Sequence, residues 1–348
     1  MSRRFLVCPD SFKGSLSAAE AAEAMKRGIL EAIPDAEVIA LPVGDGGEGT
    51  ISALMGNPQF AKDAVTVVCD TVDPLRRPIK ASYEIWRGET AFIESAAASG
   101  LTLLSRKERD VFKADSYGTG LLMSDAFARG IRRFVLGMGG TATCDAGYGA
   151  WEAIRHLPLR EMDVTLLCDV RNPLCGVTGA AHIFGPQKGA PFFLLPYLDE
   201  RLRLRAREYT DLYGRDVSSL PFAGAAGGLA GMLMASCDAT PVMGIDFVLD
   251  VLDLRSQLEG VELAITGEGC ADITSLGGKA PMGVLNVARE VGVPVALVCG
   301  KLANREFLDQ EGFAAIVAAS PYGIPSDPAQ ALSEAVCRLI SGNGGKAP

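Results

Sequence analysis

Several signatures of common function classes are missing from this sequence. It has only two histidines, and its nine cysteines are scattered and never spaced C-x-x-C. This spacing excludes the usual zinc sites and is untypical of a disulfide framework, so we expect free thiols in a reducing compartment. Neither G-x-S-x-G nor a cysteine and histidine pairing is present, which argues against acyl transfer.

Long hydrophobic runs and an excess of basic residues are also lacking. The apolar run after the basic N-terminus is short and is broken at Pro9, and no run is long enough to span a bilayer. We therefore expect a cytoplasmic protein with no membrane partner. The net charge of −9 argues against a general nucleic-acid binder. An anionic substrate could still bind through a local basic cluster or a metal ion.

The residues that are present favour an α/β enzyme. Forty glycines and 7% aromatic residues among 348 indicate many tight turns. Strand-like apolar runs, beginning with Phe5–Cys8, alternate with helical spacing along the chain. Ser17 and Glu20 form a capping box at the start of the first helix. This alternation predicts an α/β fold with a mainly parallel sheet.

A glycine-rich turn in the middle of the chain follows the predicted strand Arg133–Leu136 and leads into a helix. Such a turn leaves backbone N–H groups available, and a helix N-terminus favours an anion. Gly139, Gly140 and Thr141 could therefore hold a phosphate, while Asp145 could bind a metal ion or accept a proton. The alternative is a tight turn with no ligand.

A second candidate loop joins the first strand to the first helix. Lys13 lies there between two small hydroxyl residues, Ser11 and Ser15. In open α/β sheets ligands bind at this edge, so Lys13 is a natural phosphate contact. The alternative is a solvated lysine beside a helix N-cap.

Carboxylates and lysines follow other predicted strands. Asp45 and Glu48 flank glycines after the second strand, where paired carboxylates suit Mg²⁺ or a general base, although turn chemistry alone would also explain them. Asp169 ends another strand, and Lys188 has a setting much like that of Lys13.

Towards the C-terminus, Glu268 follows the predicted strand Val261–Thr266, and Lys279 precedes a helix. Glycine turns and lysines for phosphates, with acids for Mg²⁺, are the parts of phosphoryl transfer. Because no Walker or protein-kinase signature is present, the residues point to a different small-molecule kinase fold.

These motifs together resemble the bacterial glycerate kinase family whose members make 2-phosphoglycerate. The matching runs occur in family order and are specific as a set: Pro9–Ser15, Asp45–Thr50, Ala96–Leu101, Tyr117–Gly120, Gly139–Thr143, Phe184–Ala190, Gly224–Leu229, Gly244–Asp246 and Ile265–Gly269.

The resemblance implies two α/β domains with the site in a cleft between them. One domain would be flavodoxin-like and formed from both chain ends, residues 1–80 and 290–348; the other would be the inserted segment 81–289. It also implies transfer of the γ-phosphoryl group of ATP to D-glycerate with Mg²⁺, in a possible homo-oligomer.

The site residues of this hypothesis fall into three groups. Catalytic roles are expected for Lys13, Asp45, Asp145, Asp169 and Lys188, with the lysines holding phosphate or the glycerate carboxylate. Substrate and phosphate contacts are expected from Ser11, Ser15, Gly139, Gly140, Thr141, Glu268 and Lys279. Candidate ligands of Mg²⁺ are Asp45, Glu48 and Asp169.

The sequence departs from the family pattern at three places. Cys144 replaces the usual asparagine before Asp145, Cys270 replaces an arginine after Glu268, and the segment 157–161 is unusually short. Two alternatives follow: a degenerate member that binds a sugar acid or nucleotide without turnover, and a kinase for another small hydroxy acid.

Overall fold

The computed structural model describes residues 3–320 and 323–342. Its strands in chain order are β1 (Arg4–Pro9), β2 (Glu37–Ala40), β3 (Ala64–Val72), β4 (Pro78–Trp86), β5 (Thr90–Glu94), β6 (Arg133–Gly137), β7 (Asp163–Cys168), β8 (Thr240–Met243), β9 (Leu263–Gly267), β10 (Cys270–Ala271), β11 (Val295–Cys299), β12 (Lys301–Leu302) and β13 (Ala315–Ala318).

The α-helices are α1 (Ala18–Ala32), α2 (Thr50–Met55), α3 (Pro58–Ala61), α4 (Ala96–Ser99), α5 (Tyr117–Ala128), α6 (Tyr148–Ile154), α7 (Ala180–Phe184), α8 (Leu195–Tyr213), α9 (Leu229–Ser236), α10 (Gly244–Val251), α11 (Leu254–Gln257), α12 (Ala280–Glu290), α13 (Arg305–Leu308) and α14 (Pro328–Ile340). Short 3₁₀ helices span Leu101–Leu103, Leu159–Glu161, Pro186–Lys188, Phe192–Leu194, Ala225–Gly228, Ile273–Gly277 and Asp309–Glu311.

The first of two compact units contains the residues up to Asp45, Ser52–Pro58 and the residues from Ile245 onwards. Its five-stranded sheet has the order β2-β1-β9-β11-β13, and every neighbouring pair is parallel. Numbered within the unit, this order is 2-1-3-4-5, which is the flavodoxin-like arrangement. The predicted α/β class is confirmed.

Local sequence explains how the centre of this unit forms. Phe5–Cys8 is a continuous apolar run with almost no exposed surface, as expected of a central parallel strand covered on both faces. The capping box is present: Ser17 Oγ accepts a hydrogen bond from the Glu20 amide, and the Glu20 carboxylate accepts one from the Ser17 amide. Gly28 lets α1 approach α14 closely, because a Cβ there would lie 2.2 Å from the Ser333 carbonyl oxygen.

The second unit contains Gly46–Ile51 and Gln59–Gly244. Its six-stranded sheet has the order β3-β4-β5-β6-β7-β8; the pairs β3–β4 and β4–β5 are antiparallel and the other pairs are parallel. Helices α5, α6, α8 and α9 contribute to a single large apolar core with these strands. The carboxyl ends of β6 and β7 lead directly into the glycine-rich turn and into Asp169.

The predicted domain boundaries at 80/81 and 289/290 need correction. β3 was expected in the domain of the chain ends and the 80/81 boundary divides β4, but β3 pairs with β4 and β4 with β5, which places both strands in the sheet of the second unit. β9 was expected in the inserted domain, but it pairs with β1 and β11. An alternating or buried strand carries no local signal of the sheet it joins, since that choice depends on long-range pairing.

All nine cysteines are unpaired. Cys8, Cys168 and Cys299 are buried as expected, whereas Cys69 is only partly buried. Burial raises the pKa of the Cys8, Cys168 and Cys299 thiols, so these side chains remain protonated and unreactive near neutral pH.

Among the described residues, no helix combines the length and apolar character needed to cross a membrane. Helix α8 has 19 residues and is rich in charged side chains, a composition that by itself would predict a solvated helix. Leu198, Leu202, Ala206 and Tyr209 instead bury one face of it in the core of the second unit. Most of its charges lie on the opposite face, as in an amphipathic surface helix, whereas Asp199 is buried and accepts hydrogen bonds from the Gly176 amide and from Arg203.

Candidate active site

The order of the first sheet determines where its ligand site should lie. β1 is flanked by β2 on one side and by β9 on the other, so the order in which successive strands are added to the sheet reverses at β1, although all the strands are parallel. Ligands of open α/β sheets bind at such a switch point, outside the carboxyl ends of the strands. β1 ends at Pro9 and β9 at Gly267, which places Asp10 and Glu268 at that point.

A cavity of about 400 Å³ lies at this edge, entirely within the first unit. That volume falls in the range of small-molecule pockets. Its wall combines apolar side chains with a concentrated set of charged and hydroxyl groups, namely Asp10, Ser11, Lys13, Ser15, Asp45, Glu268, Asp272, Lys279 and Lys301. The sequence-predicted residues Ser11, Lys13, Ser15, Asp45, Glu268 and Lys279 therefore line one cavity.

Three carboxylates of this cavity are buried: Asp10 is 8% exposed, Asp45 4% and Glu268 7%. Burial raises the pKa of Asp10 to about 7, with a further contribution from the charge of Asp45. Burial also raises the pKa of Glu268, and Asp45 adds to that shift. Glu268 Oε1 is buried without a hydrogen-bond partner among the described residues. Such a group is costly unless a cation or a donor from a ligand pairs with it.

The loop of residues 10–17, which carries Lys13 and is called the lysine loop below, is held in shape by hydrogen bonds between its own residues. The Phe12 amide donates to the Leu16 carbonyl at 2.8 Å, and Ser15 Oγ donates to the Phe12 carbonyl at 2.8 Å. Gly14 has φ +82°, a left-handed conformation that the turn requires and that glycine adopts without strain. Lys13 is consequently presented at the exposed tip of a fixed turn, next to the buried acids.

A second, smaller pocket lies entirely within the second unit, at the carboxyl ends of β6 and β7. Its volume is about 100 Å³, and its lining includes Gly139, Gly140, Thr141, Asp169 and Lys188. These five sequence-predicted residues thus converge. Gly139 approaches the 46–51 segment closely, because a Cβ there would lie 2.3 Å from the Glu48 amide nitrogen.

Lys188 is only 4% exposed. Its Nζ donates to Thr141 Oγ1 at 3.0 Å and to the Thr143 carbonyl at 2.7 Å. Burial lowers the pKa of Lys188, and the nearby Cys144, Asp145 and Asp169 act in the opposite direction. A lysine in a short turn such as Pro186–Lys188 is ordinarily at the surface. The sequence therefore gives no indication that Lys188 is buried.

Two predicted site residues are placed outside the linings of these pockets. Asp145 accepts four hydrogen bonds, from the Ser116 amide and hydroxyl and from the Gly147 and Gly149 amides, at 2.8–3.0 Å. Its carboxylate therefore joins the starts of α5 and α6. Glu48 is exposed and its side chain packs beside Gly140, where an added Cβ would meet it at 2.7 Å.

Two acids were missed as candidates. Asp10 was not selected, although a carboxylate directly after the first strand is the signal used for Asp45 and Asp169. Glu94, at the end of β5, is the second; its Oε1 accepts a 2.8 Å hydrogen bond from the Ile51 amide near the start of α2. Burial raises the pKa of Glu94 to about 7.

The donor set at the first cavity suits a hard divalent cation. Buried carboxylate oxygens, one of them without a partner, are the ligands that Mg²⁺ prefers. Within the described ranges, no group of three or more histidine, cysteine, aspartate or glutamate side chains is arranged to hold a metal ion by itself. One or two of these carboxylates with phosphate oxygens and water would complete the usual Mg²⁺ shell.

Comparison with known proteins agrees with this geometry. The sequence model of the glycerate kinase family matches residues 5–159 and 155–340. The chain is 38% identical to glycerate 2-kinase of Escherichia coli K12 over 86% of each chain, and 36% identical to glycerate kinase of Bacillus subtilis 168 over 94% of this chain and 92% of that protein.

A solved structure is also similar. The crystal structure of putative glycerate kinase 2 from Salmonella typhimurium LT2 superposes with a TM-score of 0.82, at 33% identity, over 99% of this chain and 98% of that chain. A match this complete covers the lysine loop, the glycine-rich turn and the last helix together. The chain belongs to the glycerate kinase family and is a small-molecule kinase.

Proposed function

We propose that this kinase transfers the γ-phosphoryl group of ATP to the 2-hydroxyl of D-glycerate, giving 2-phosphoglycerate and ADP. The observation that carries the proposal is the convergence of lysines with buried carboxylates on one cavity at the switch point of the first sheet. The relative from Escherichia coli that is named glycerate 2-kinase supports the position of the phosphorylated hydroxyl.

The atoms of the reaction define what the side chains must do. The 2-hydroxyl oxygen forms a bond to the γ-phosphorus, the bond between that phosphorus and the bridging oxygen breaks, and ADP leaves. The hydroxyl proton passes to a carboxylate. Catalysis of such a transfer is mainly positioning and charge stabilisation.

Lysine side chains supply the positive charge in this scheme. Lys13 and Lys279 border the cavity of the first unit and would hold phosphate oxygens, with Ser11 and Ser15 as hydroxyl contacts. In the second unit, Gly139, Gly140 and Thr141 would bind phosphate or substrate. The proton acceptor is sought among Asp45, Asp145 and Asp169, and the hydrogen bonds of Asp145 favour a positioning role for that residue.

Magnesium is part of the proposal. One or two of the buried carboxylates Asp10, Asp45 and Glu268 would hold the ion together with phosphate oxygens and water, and the ion when bound neutralises phosphate charge. Glu48 and Asp169, the other predicted ligands, belong to the second unit. We further propose a cytoplasmic enzyme that acts on small molecules only, with a possible homo-oligomeric state.

One observation favours a second possibility. Cys270, which replaces the arginine expected from the family pattern, lines the cavity of the first unit. Loss of a guanidinium removes a bidentate phosphate donor. A kinase for a different small hydroxy acid, or a member that binds without turnover, would be consistent with that change.

An ADP-release assay coupled to NADH oxidation distinguishes these functions. We expect turnover with D-glycerate, ATP and Mg²⁺, and ³¹P NMR of the product should show 2-phosphoglycerate. Turnover only with another acid of a hydroxy-acid panel would support the second kinase. Binding of ATP without ADP release from any acid would support the non-catalytic alternative.

A further inference from the structure

The pocket of the second unit contains a buried ammonium group that forms no ion pair with any carboxylate of the described residues. Lys188 is 4% exposed, and its Nζ has two hydrogen-bond acceptors, Thr141 Oγ1 and the Thr143 carbonyl, both of them neutral. An ammonium group has three donors. Across residues 3–320 and 323–342, no carboxylate lies within 4.0 Å of this nitrogen. A buried ammonium is costly unless an anion pairs with it, so this pocket should take an anionic ligand.

The size of the pocket limits what that anion can be. At about 100 Å³ it has room for roughly three water molecules at about 30 Å³ each. A three-carbon acid is of this size, whereas a nucleotide needs a pocket of several hundred Å³, such as the cavity of the first unit.

The second charged group of the pocket, Asp169, selects among small anions. It lines the pocket with Lys188, and its charge is felt at that lysine. A phosphate dianion would be repelled by this carboxylate. A carboxylate ligand with a neighbouring hydroxyl would instead pair with Lys188 and donate a hydrogen bond to Asp169.

We propose that Lys188 is the residue that recognises the carboxylate of the acid substrate, and that Asp169 accepts a hydrogen bond from its hydroxyl. This inference rests on the proposed kinase function and assigns its acid substrate to the pocket of the second unit. The class of ligand is a short 2-hydroxy acid.

The glycine at position 227 supports this role. A Cβ at Gly227 would lie 1.9 Å from the Thr143 carbonyl oxygen, and φ there is +65°. The absence of a side chain therefore allows that carbonyl to remain where it accepts the hydrogen bond from Lys188. The hydrogen bond to this carbonyl holds the ammonium group of Lys188 in a fixed position, which orients it for a ligand.

The test is calorimetric binding without nucleotide. D-glycerate, glycerol and inorganic phosphate are titrated into the wild-type protein, Lys188→Met and the control Lys107→Met, whose lysine is exposed and outside both pockets. We expect D-glycerate to bind wild type and the control equally, at least 30-fold more weakly to Lys188→Met, and glycerol not to bind. ATP affinity should change less than twofold. Glycerate binding that survives in Lys188→Met, or phosphate binding more tightly than glycerate, would overturn the assignment.

A measurement on the wild-type protein keeps the test independent of how the variant folds. Burial lowers the pKa of Lys188, and a bound carboxylate raises it again, while Cys144, Asp145 and Asp169 are the other titratable groups that act on it. Calorimetry in two buffers of different ionisation enthalpy, repeated from pH 7 to pH 9.5, should therefore show proton uptake on binding. Binding without proton uptake throughout that range contradicts the proposal.

The outcomes separate this inference from the proposed function. Turnover of D-glycerate with the same KM in wild type and Lys188→Met would retain the function and reject the role of Lys188. No turnover of D-glycerate, but Lys188-dependent binding of another 2-hydroxy acid, would reject the function and retain the pocket.

Discussion

The backbone amide of Asp10 donates a 2.9 Å hydrogen bond to the carbonyl oxygen of Gly267. This bond continues the pairing of β1 with β9 by one residue and fixes the chain where both strands end. The side chains of Asp10 and of Glu268, which follows Gly267, consequently line the same cavity although they are far apart in sequence. Sheet pairing alone therefore brings two carboxylates together at the candidate phosphate site.

The first prediction concerns the energetic cost of this arrangement. The pKa of Asp10 is raised to about 7, chiefly by burial and then by Asp45, so its ionised form is disfavoured in the folded protein. Replacing it in Asp10→Asn should lower turnover at least 100-fold. The same change should stabilise the metal-free protein at pH 8 by about 1–2 kcal/mol, because a buried charge beside a like charge is removed.

The change of the stability difference between Asp10→Asn and wild type with pH tests the direction of the Asp10 pKa shift. A carboxyl group whose folded pKa is raised destabilises the fold above its unfolded pKa, and the penalty is complete above about pH 7. The stability gain of Asp10→Asn in urea unfolding should therefore shrink as the pH falls from 8 to 4. A variant that is less stable than wild type at pH 8 would contradict the expected relief of repulsion.

Lys13 is the second test. Its side chain lies at the exposed tip of a turn, so Lys13→Met should leave the melting temperature within about 2 °C of wild type. If its ammonium group holds phosphate, turnover should fall by orders of magnitude. Lys107→Met, which alters an exposed lysine outside both pockets, is the matched control. An undiminished rate in Lys13→Met would remove that residue from the site.

Local signals made parts of the fold predictable. The Ser17–Glu20 capping box predicted from the sequence fixes the start of α1, and the alternation of strands and helices predicts the α/β class. Both features depend on neighbouring residues only. The sheet to which Ala64–Val72 belongs was assigned wrongly, because a period-two pattern is the same in either sheet.

Local sequence also predicted some residues of the candidate site and missed the environment of others. Lys13 and Glu268 could be placed because each follows a strand at the sheet edge where ligands bind. Nothing in the sequence indicates that Lys188 is buried, since a lysine in a Gly-Pro-Gln-Lys-Gly turn usually lies at the surface. The 186–190 turn packs against Arg109, whose carbonyl oxygen would lie 2.3 Å from a Cβ at Gly189, and the Lys188 side chain bonds to Thr141 and Thr143.

Asp145 provides a prediction that separates positioning from catalysis. Oδ2 accepts hydrogen bonds from the Ser116 amide, the Ser116 hydroxyl and the Gly149 amide, and Oδ1 accepts one from the Gly147 amide. In Asp145→Asn one oxygen becomes an NH₂ group that faces at least one of these donors. Unfolding in urea should show a loss of about 2–3 kcal/mol.

The kinetics of Asp145→Asn decide its role. If the residue positions the turn, the folded fraction of the variant should retain the pH profile of wild type, with a reduced rate. Stability equal to that of wild type, combined with loss of the acidic limb of the pH–rate profile, would instead identify Asp145 as the proton acceptor.

The last prediction uses two glycines that differ in surroundings but not in backbone conformation. Gly227 has φ +65° and a Cβ there would lie 1.9 Å from the Thr143 carbonyl oxygen; Gly214 has φ +75° and nothing within 4 Å of its Cβ position. Alanine at Gly214 should cost only the left-handed backbone penalty of about 1–2 kcal/mol. Alanine at Gly227 adds a collision with a backbone carbonyl that accepts a hydrogen bond from Lys188, so its loss of stability should be larger by at least about 1 kcal/mol. At a temperature where both variants are folded, only Gly227→Ala should weaken D-glycerate binding; equal affinity in the two variants would show that the Thr143 carbonyl does not orient the lysine.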